Sequence, residues 1–218
     1  NGQLPESHLA ASIIDTTQQQ AEELVDELQA VGYEQVEQHW VSMSILGVTI
    51  EDHLPLMGDT TDVTGTLKAI LSRPTKAKTK DRLTLWLTSL LAEVAFQQPV
   101  VGVSVHLEKN LELHELHDAA RQLDKIIALY TLGLTQALPL DAELGQELLK
   151  VNPPDIEKRR VKWQKKWYHH KYSQSFDFSS DPYRRWLWPQ TPSFDDWHES
   201  FFEVYQPMVD CIKEVKHA

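Results

Sequence analysis

Residues 80–96 constrain the fold more than any other stretch. Leu83, Trp86, Leu87, Leu90, Leu91 and Val94 recur at helical spacing and make a wide apolar stripe, with Thr79 placed as an N-cap. A helix with that stripe must bury it against a second layer. Strand-type segments flank it. Val63–Leu71 precedes it, closed by Arg73-Pro74, and Val100–Leu107 follows with Val101, Val103, Val105 and Leu107 in alternation. Upstream, Trp40–Ile50 reads as a strand and His53–Met57 as a further short one, with a turn at Gly58-Asp59. The chain opens on an amphipathic helix, Thr16–Val31, carried by Ala21, Leu24, Val25, Leu28 and Val31 and stopped by Gly32. A second long helix, Leu116–Leu134, rests on Leu116, Ala119, Ala120, Leu123, Ile126, Ile127 and Tyr130. Helix, strands, helix, strand, then helices is the order of an α/β or α+β domain.

After Leu138-Pro139-Leu140 the pattern changes. Asp141–Leu149 reads as a short helix, and Pro153-Pro154 separates it from a basic helix, Ile156–Tyr168, with Trp163 and Trp167 one turn apart. Phe176–Ser180 reads as a loop. A segment with Trp186 and Trp188 follows, and a last helix, Phe194–Val215, bears Trp197, Phe201, Phe202, Tyr205 and Val209. The expected organisation is an α/β core over 1–140 with a helical, aromatic extension over 141–218 packed on it as one domain. A chain of 218 residues buries roughly 70% of its unfolded surface and needs no staples. The single Cys, Cys211, excludes a disulfide framework and a Cys-based zinc site, and reads as a buried thiol. No window approaches the ~18 consecutive apolar residues of a membrane span. The first residues have neither the basic nor the apolar region of a signal peptide, and the start without Met suggests a piece of a longer chain, so a cytoplasmic location is expected.

Charge is unevenly spread. The net charge is −11, which opposes whole-surface attraction to nucleic acid. Between Lys150 and Tyr172, eight Lys or Arg stand against Asp155 and Glu157, so that window is +6 and the remainder −17. Lys158, Arg159, Arg160, Lys162, Lys165, Lys166 and Lys171 interleave there with Trp163, Trp167, Tyr168 and Tyr172. Cations neutralise phosphates and aromatic faces stack on bases, so this segment is the candidate DNA-binding site, with Trp167 as the stacking residue. The plainer alternative puts Trp163 and Trp167 in the core and the cations on a solvated face. A third puts the basic face against an acidic partner.

Catalytic patterns are sparse. The order of elements suits a metal-dependent nuclease, which needs a strand Asp and a (D/E)-x-K to hold a divalent ion and position water. The one (D/E)-x-K is Glu214-Val215-Lys216, expected on a solvated helix end. Thr64–Leu71 offers no acid. His114 and His117, three residues apart with His106 on the preceding strand, lack convincing third and fourth ligands for zinc, and His169-His170 adds to the basic run. G-x-S-x-G, Walker A, G-x-G-x-x-G and H-E-x-x-H are all absent.

Four segments, in order, resemble one family. Lys80-Asp81-Arg82-Leu83-Thr84-Leu85-Trp86-Leu87 resembles the KDRLxxWLxHL helix of the gamma subunit of bacterial exonuclease V, the RecC family. Leu129–Leu140 resembles its LYxxGLxxPLPF segment, with Gln136-Ala137 and Leu140 as departures that suggest a divergent member. Asp181-Pro182-Tyr183 resembles its DPYxxxxF stretch, followed here by Phe194 and Tyr205-Gln206-Pro207-Met208. Leu4-Pro5 resembles its LPxG opening without the Gly. The resemblance implies the RecC C-terminal domain, with a restriction-endonuclease-like fold that lacks nuclease residues. It implies partners of the RecB and RecD kinds, double-stranded and forked DNA, no membrane contact, and no cofactor in this domain, Mg²⁺ and ATP being used by the partner subunits. In that setting the domain helps split duplex DNA, guide the unwound strands and dock partners during double-strand break repair. Lys68, Lys76 and Lys78 then stand as degenerate nuclease positions, cations that repel Mg²⁺ where an active relative carries acids. Two other classes stay open. One is a divergent Mg²⁺-dependent nuclease using acids such as Asp59, Asp62 or Glu108. The other is a protein-interaction module without DNA contact, for which Trp186, Trp188 and Trp197 are candidate anchors.

Overall fold

A computed structural model describes residues 8–62, 64–150, 155–167 and 182–217. The architecture is α/β. The described helices are α1 (His8–Ala30), α2 (Thr79–Phe96), α3 (Ala119–Gly133), α4 (Ala142–Leu149), α5 (Ile156–Trp167), α6 (Pro182–Leu187) and α7 (Phe194–Cys211). The strands are β1 (Glu37–Ile45), β2 (Val48–Met57), β3 (Leu67–Lys76), β4 (Val100–Leu107), β5 (Lys109–Leu113) and β6 (Ile212–Lys216). They form one six-stranded sheet in the order β1-β2-β3-β4-β5-β6. β3 runs parallel to β4, whereas β2–β3, β4–β5 and β5–β6 are antiparallel.

Contacts divide the chain into two units. The sheet unit comprises Asn1–Met43, Thr49–Leu116 and Ile212–Ala218, and the helical unit Ser44–Val48 and His117–Cys211. The expected boundary at residue 140 is therefore corrected. Helix α3 belongs with the helical unit, and the C-terminal strand returns to the sheet, because pairing beside β5 satisfies its backbone groups.

In the sheet unit, β3 and β4 are covered on both faces. Ile70, Val103 and Val105 pack with Leu24 and Leu28 of α1 and with Val31 just beyond it. On the other face Leu67, Ala69 and Val100 are buried with Leu85, Trp86 and Leu90 of α2. Two-sided burial is why β4 reads as a nearly continuous apolar run. Asp81 opens α2 by accepting from the Lys78 backbone N–H at 2.8 Å, so the cap is Lys78 and not Thr79.

Several boundaries differ from the sequence reading. The expected single strand Trp40–Ile50 is β1 and the start of β2, joined through Leu46 (φ 50°) and Gly47 (φ 80°). Positive φ at both turn residues gives the tight hairpin geometry, and Leu46 in place of Asn or Asp hides it. β3 runs on through Pro74, tolerated because pairing with β4 shifts register between Ser72 and Lys76. The last helix stops at Cys211, and Ile212–Lys216 is a strand.

In the helical unit Trp163, Phe201, Leu148, Leu144 and Met208 are almost fully enclosed. Helices α4 and α7 meet at Gly145, where a Cβ would lie 2.3 Å from the Tyr205 ring, so only glycine fits. Asp141 caps α4 through the Leu144 N–H at 2.9 Å. Burial pushes the Cys211 thiol up to about 12, so it stays protonated. No described helix is long and apolar enough to cross a membrane.

Candidate nucleic-acid interface

Helix α5 carries the basic residues singled out by the sequence. Asp155 precedes it and accepts from the Lys158 N–H at 3.0 Å, which lowers the Asp155 pKa and starts the helix. Its apolar positions, Trp163 and Trp167, face the aromatic core. Trp163 is fully enclosed, donates its indole N–H to the Pro192 carbonyl at 2.9 Å, and meets the Phe201 ring edge-on at 5.0 Å. Trp167 is buried against Trp188 at 5.4 Å and Trp163 at 5.9 Å. Trp167 is thus a core residue, a correction to its expected role, since a base cannot reach an enclosed face.

The cations are largely answered by neighbours. Lys166 meets the Glu147 carboxylate of α4 at 3.1 Å, and Lys162 donates to the Glu147 backbone carbonyl at 2.8 Å. Arg160 is bonded to Asp195 of α7, which raises the guanidinium pKa and lowers that of the carboxyl. It also lies 3.5 Å from Glu157. Arg159 lies over the Phe202 ring at 4.3 Å. Lys158 pairs with Asp155 at 3.4 Å, and Lys165 is exposed. Glu147 and Asp195, two acids from other helices that linear charge counting leaves out, thus offset two of the six net positive charges of the window. Lys171, His169, His170, Tyr168, Tyr172, Asp181 and the Leu4-Pro5 pair lie outside the described residues.

The three lysines proposed as degenerate nuclease positions serve local structure. Lys68 donates to the Val31 carbonyl at the end of α1 at 3.0 Å, where a cation complements the exposed C-terminal carbonyls. Lys76 pairs with Glu108 at 2.6 Å. Lys78 caps α2. Lys68 and Lys76 sit at opposite ends of β3, about 26 Å apart at ~3.3 Å per residue, so they share no site.

The alternative acids also fail to meet. Asp59 and Asp62 lie in the β2–β3 connection, each accepting a Thr hydroxyl two residues on, Thr61 and Thr64, which lowers their pKa values. Gln98, just before β4, donates to the Asp59 carbonyl at 3.3 Å, so Asp59 is at the amino end of β4. Glu108 is at its carboxyl end. His106 and His114 are parted in the same way. His106 is fully enclosed and bridges Ser104 (2.8 Å) and the Thr75 carbonyl (3.2 Å); burial first, opposed by Asp81, lowers its pKa. His114 is half-exposed beyond β5. Among the described residues no three His, Cys, Asp or Glu gather as a metal site.

Glu214-Val215-Lys216 is corrected from helix end to strand β6. Glu214 there is clamped by Lys109 and Arg82, which together hold its carboxyl below the usual range. Arg82 itself is buried in α2 and pairs β6 to the sheet unit from within. The acid of the one (D/E)-x-K is thus occupied by an ion-pair cluster rather than open to a metal.

Residues 1–152 match the RecC C-terminal domain family. The chain belongs to that family. The match spans the sheet unit up to Leu116, and α3 and α4, so it includes the KDRL helix α2 and the Leu129–Leu140 segment that carried the resemblance. RecC is a subunit of the RecBCD exodeoxyribonuclease V complex of DNA repair and recombination, and membership makes this chain a RecC-type subunit domain within that setting. No curated protein matches the chain.

What the sequence reading missed is the counter-charge. Glu147 and Asp195 carry no local motif, and they reach α5 only through the packing of α4 and α7. A second signal was plain in the sequence: residues 1–67 hold twelve Asp or Glu and no Lys or Arg.

Proposed function

We propose that this chain is a non-catalytic RecC-type domain that helps guide unwound DNA and dock partner subunits. The sheet unit runs helix, three strands, helix, strand, with β3 parallel to β4. That is the order expected of a restriction-endonuclease-like core, and it supports the degenerate-nuclease reading. The observation that carries the non-catalytic part is the state of the candidate acids: Glu214 is held by two cations, and Asp59 and Glu108 lie at opposite ends of β4. A divalent ion needs several oxygens converging within about 2.0–2.6 Å, and these cannot converge.

For DNA guidance, α5 supplies the exposed Lys165 and Lys158, the latter paired with Asp155. Labelled forked duplex titrated with the 218-residue chain by fluorescence anisotropy tests this reading. Binding is expected with a log–log salt slope well below the ~5 that six independent cations give. No binding at low salt overturns the DNA part and leaves partner docking, which the internal pairing of α5 favours. Mg²⁺-dependent cleavage of the duplex, lost in Lys68→Ala, overturns the non-catalytic part.

A further inference from the structure

The first 67 residues account for the chain's whole acidity. They carry −12, while residues 68–218 hold the other 20 acids against all 21 Lys and Arg, a net of +1. Within this stretch the β1–β2 hairpin exposes a complete row on one face. Trp40, Ser42, Thr49, Glu51 and His53 alternate outward, while Val41, Leu54 and Leu56 point inward and are buried. The cross-strand contacts fix the row: the Trp40 and His53 rings lie 4.8 Å apart, and the Ser42 hydroxyl donates to Glu51 at 3.4 Å. Helix α1 packs on β3 and β4 and meets β2 only near its end, where Met57 joins the same cluster, and the opposite face of β1 is where His39 meets Phe96 of α2 at 6.0 Å. Trp40 is 54% exposed, a large aromatic face held upright beside His53 in a region with no cation of its own.

We propose that this face of the β1–β2 hairpin, centred on Trp40 and Glu51, docks a basic segment of a partner protein. A guanidinium or ammonium over an indole face gains from the ring quadrupole, and the Glu51 carboxylate on the same row adds charge complementarity. Glu51 and the net −12 of residues 1–67 attract such a segment from a distance and repel a phosphate backbone, which selects polypeptide over nucleic acid. Trp, flanked by polar groups, is a residue type that anchors protein interfaces. This site is separate from α5 and does not depend on DNA contact there.

The test is anisotropy with the 218-residue chain and a labelled Arg–Ser repeat peptide, beside a Glu–Ser repeat and a labelled single-stranded DNA. The Glu–Ser peptide is not expected to bind, DNA held at α5 is expected to leave the hairpin face free, and the Arg–Ser peptide is expected to bind. Trp40→Ala should weaken it about three- to fivefold, and Glu51→Gln about twofold. In a parallel NMR titration the Trp40 indole N–H signal, assigned by its loss in Trp40→Phe, should shift on adding the Arg–Ser peptide. That readout uses the unaltered protein and stands even if a variant folds poorly. Equal binding of the Glu–Ser peptide overturns the proposal, and so does DNA that moves the Trp40 indole signal as the Arg–Ser peptide does, or peptide binding that leaves that signal unmoved.

Discussion

Helix α5 and the first 67 residues are the two most charged stretches of the chain, and they end in opposite electrostatic states. The cations of α5 fold against acids: Glu147 takes Lys162 and Lys166, and Asp195 takes Arg160. Among the described residues, the acids of the first stretch pair with no Lys or Arg from any part of the chain. Linear charge density is thus a poor guide to surface field. What decides the field is whether packing delivers a counter-ion within a few ångströms, since a paired charge is largely cancelled beyond a Debye length of about 8–10 Å.

The comparison breaks most severely at the aromatic side of α5. Trp163→Ala empties a fully enclosed site and should cost about 3–5 kcal/mol, read as a lower urea midpoint. An unchanged midpoint would return the α5 aromatics to the surface and restore them as stacking residues.

Acid pH acts on the sheet unit in two steps. His106 is buried and neutral with its pKa lowered, so the unfolded chain binds more protons. Stability of the sheet unit should fall as pH drops below about 6.5, the unfolded His value. A His106→Gln variant should flatten that limb of a thermal-midpoint profile. Glu214 has the opposite charge and a depressed pKa, so its contribution is present above about 4.3 and is lost as pH falls further. Glu214→Gln should remove only that lower limb.

Smaller effects sharpen the charge argument. Glu147→Gln releases Lys166 and the charge of Lys162, whose bond to the backbone carbonyl at position 147 remains, at a stability cost under about 1 kcal/mol because both pairs are partly exposed. Their release should steepen the salt dependence of DNA binding by up to about 1.8 in the log–log slope. A slope that does not move would place α5 away from DNA. Lys165→Gln, on an exposed position, should leave stability within about 0.5 kcal/mol.

Much of the fold was legible in the sequence where period and caps agree. Helices α2, α4 and α5 and strand β4 lie within a few residues of their expected ranges, because each pairs a regular apolar pattern with a clear stop. The Leu46–Gly47 turn was not legible, since its first residue is one that turns disfavour. Strand β6 was missed because apolar and charged residues continue the α7 pattern into it, and only β5 makes it a strand.

By itself the sequence determined the main helices and the strand β4 between them, the family and the places where charge accumulates. These are properties of local pattern and composition. Tertiary structure decided which charges are free and which aromatics are enclosed. Lys68 ends on a helix carbonyl, Glu214 between two cations and Trp167 inside a core. Each outcome depends on a partner far away in the chain, and no local pattern encodes the partner that packing brings.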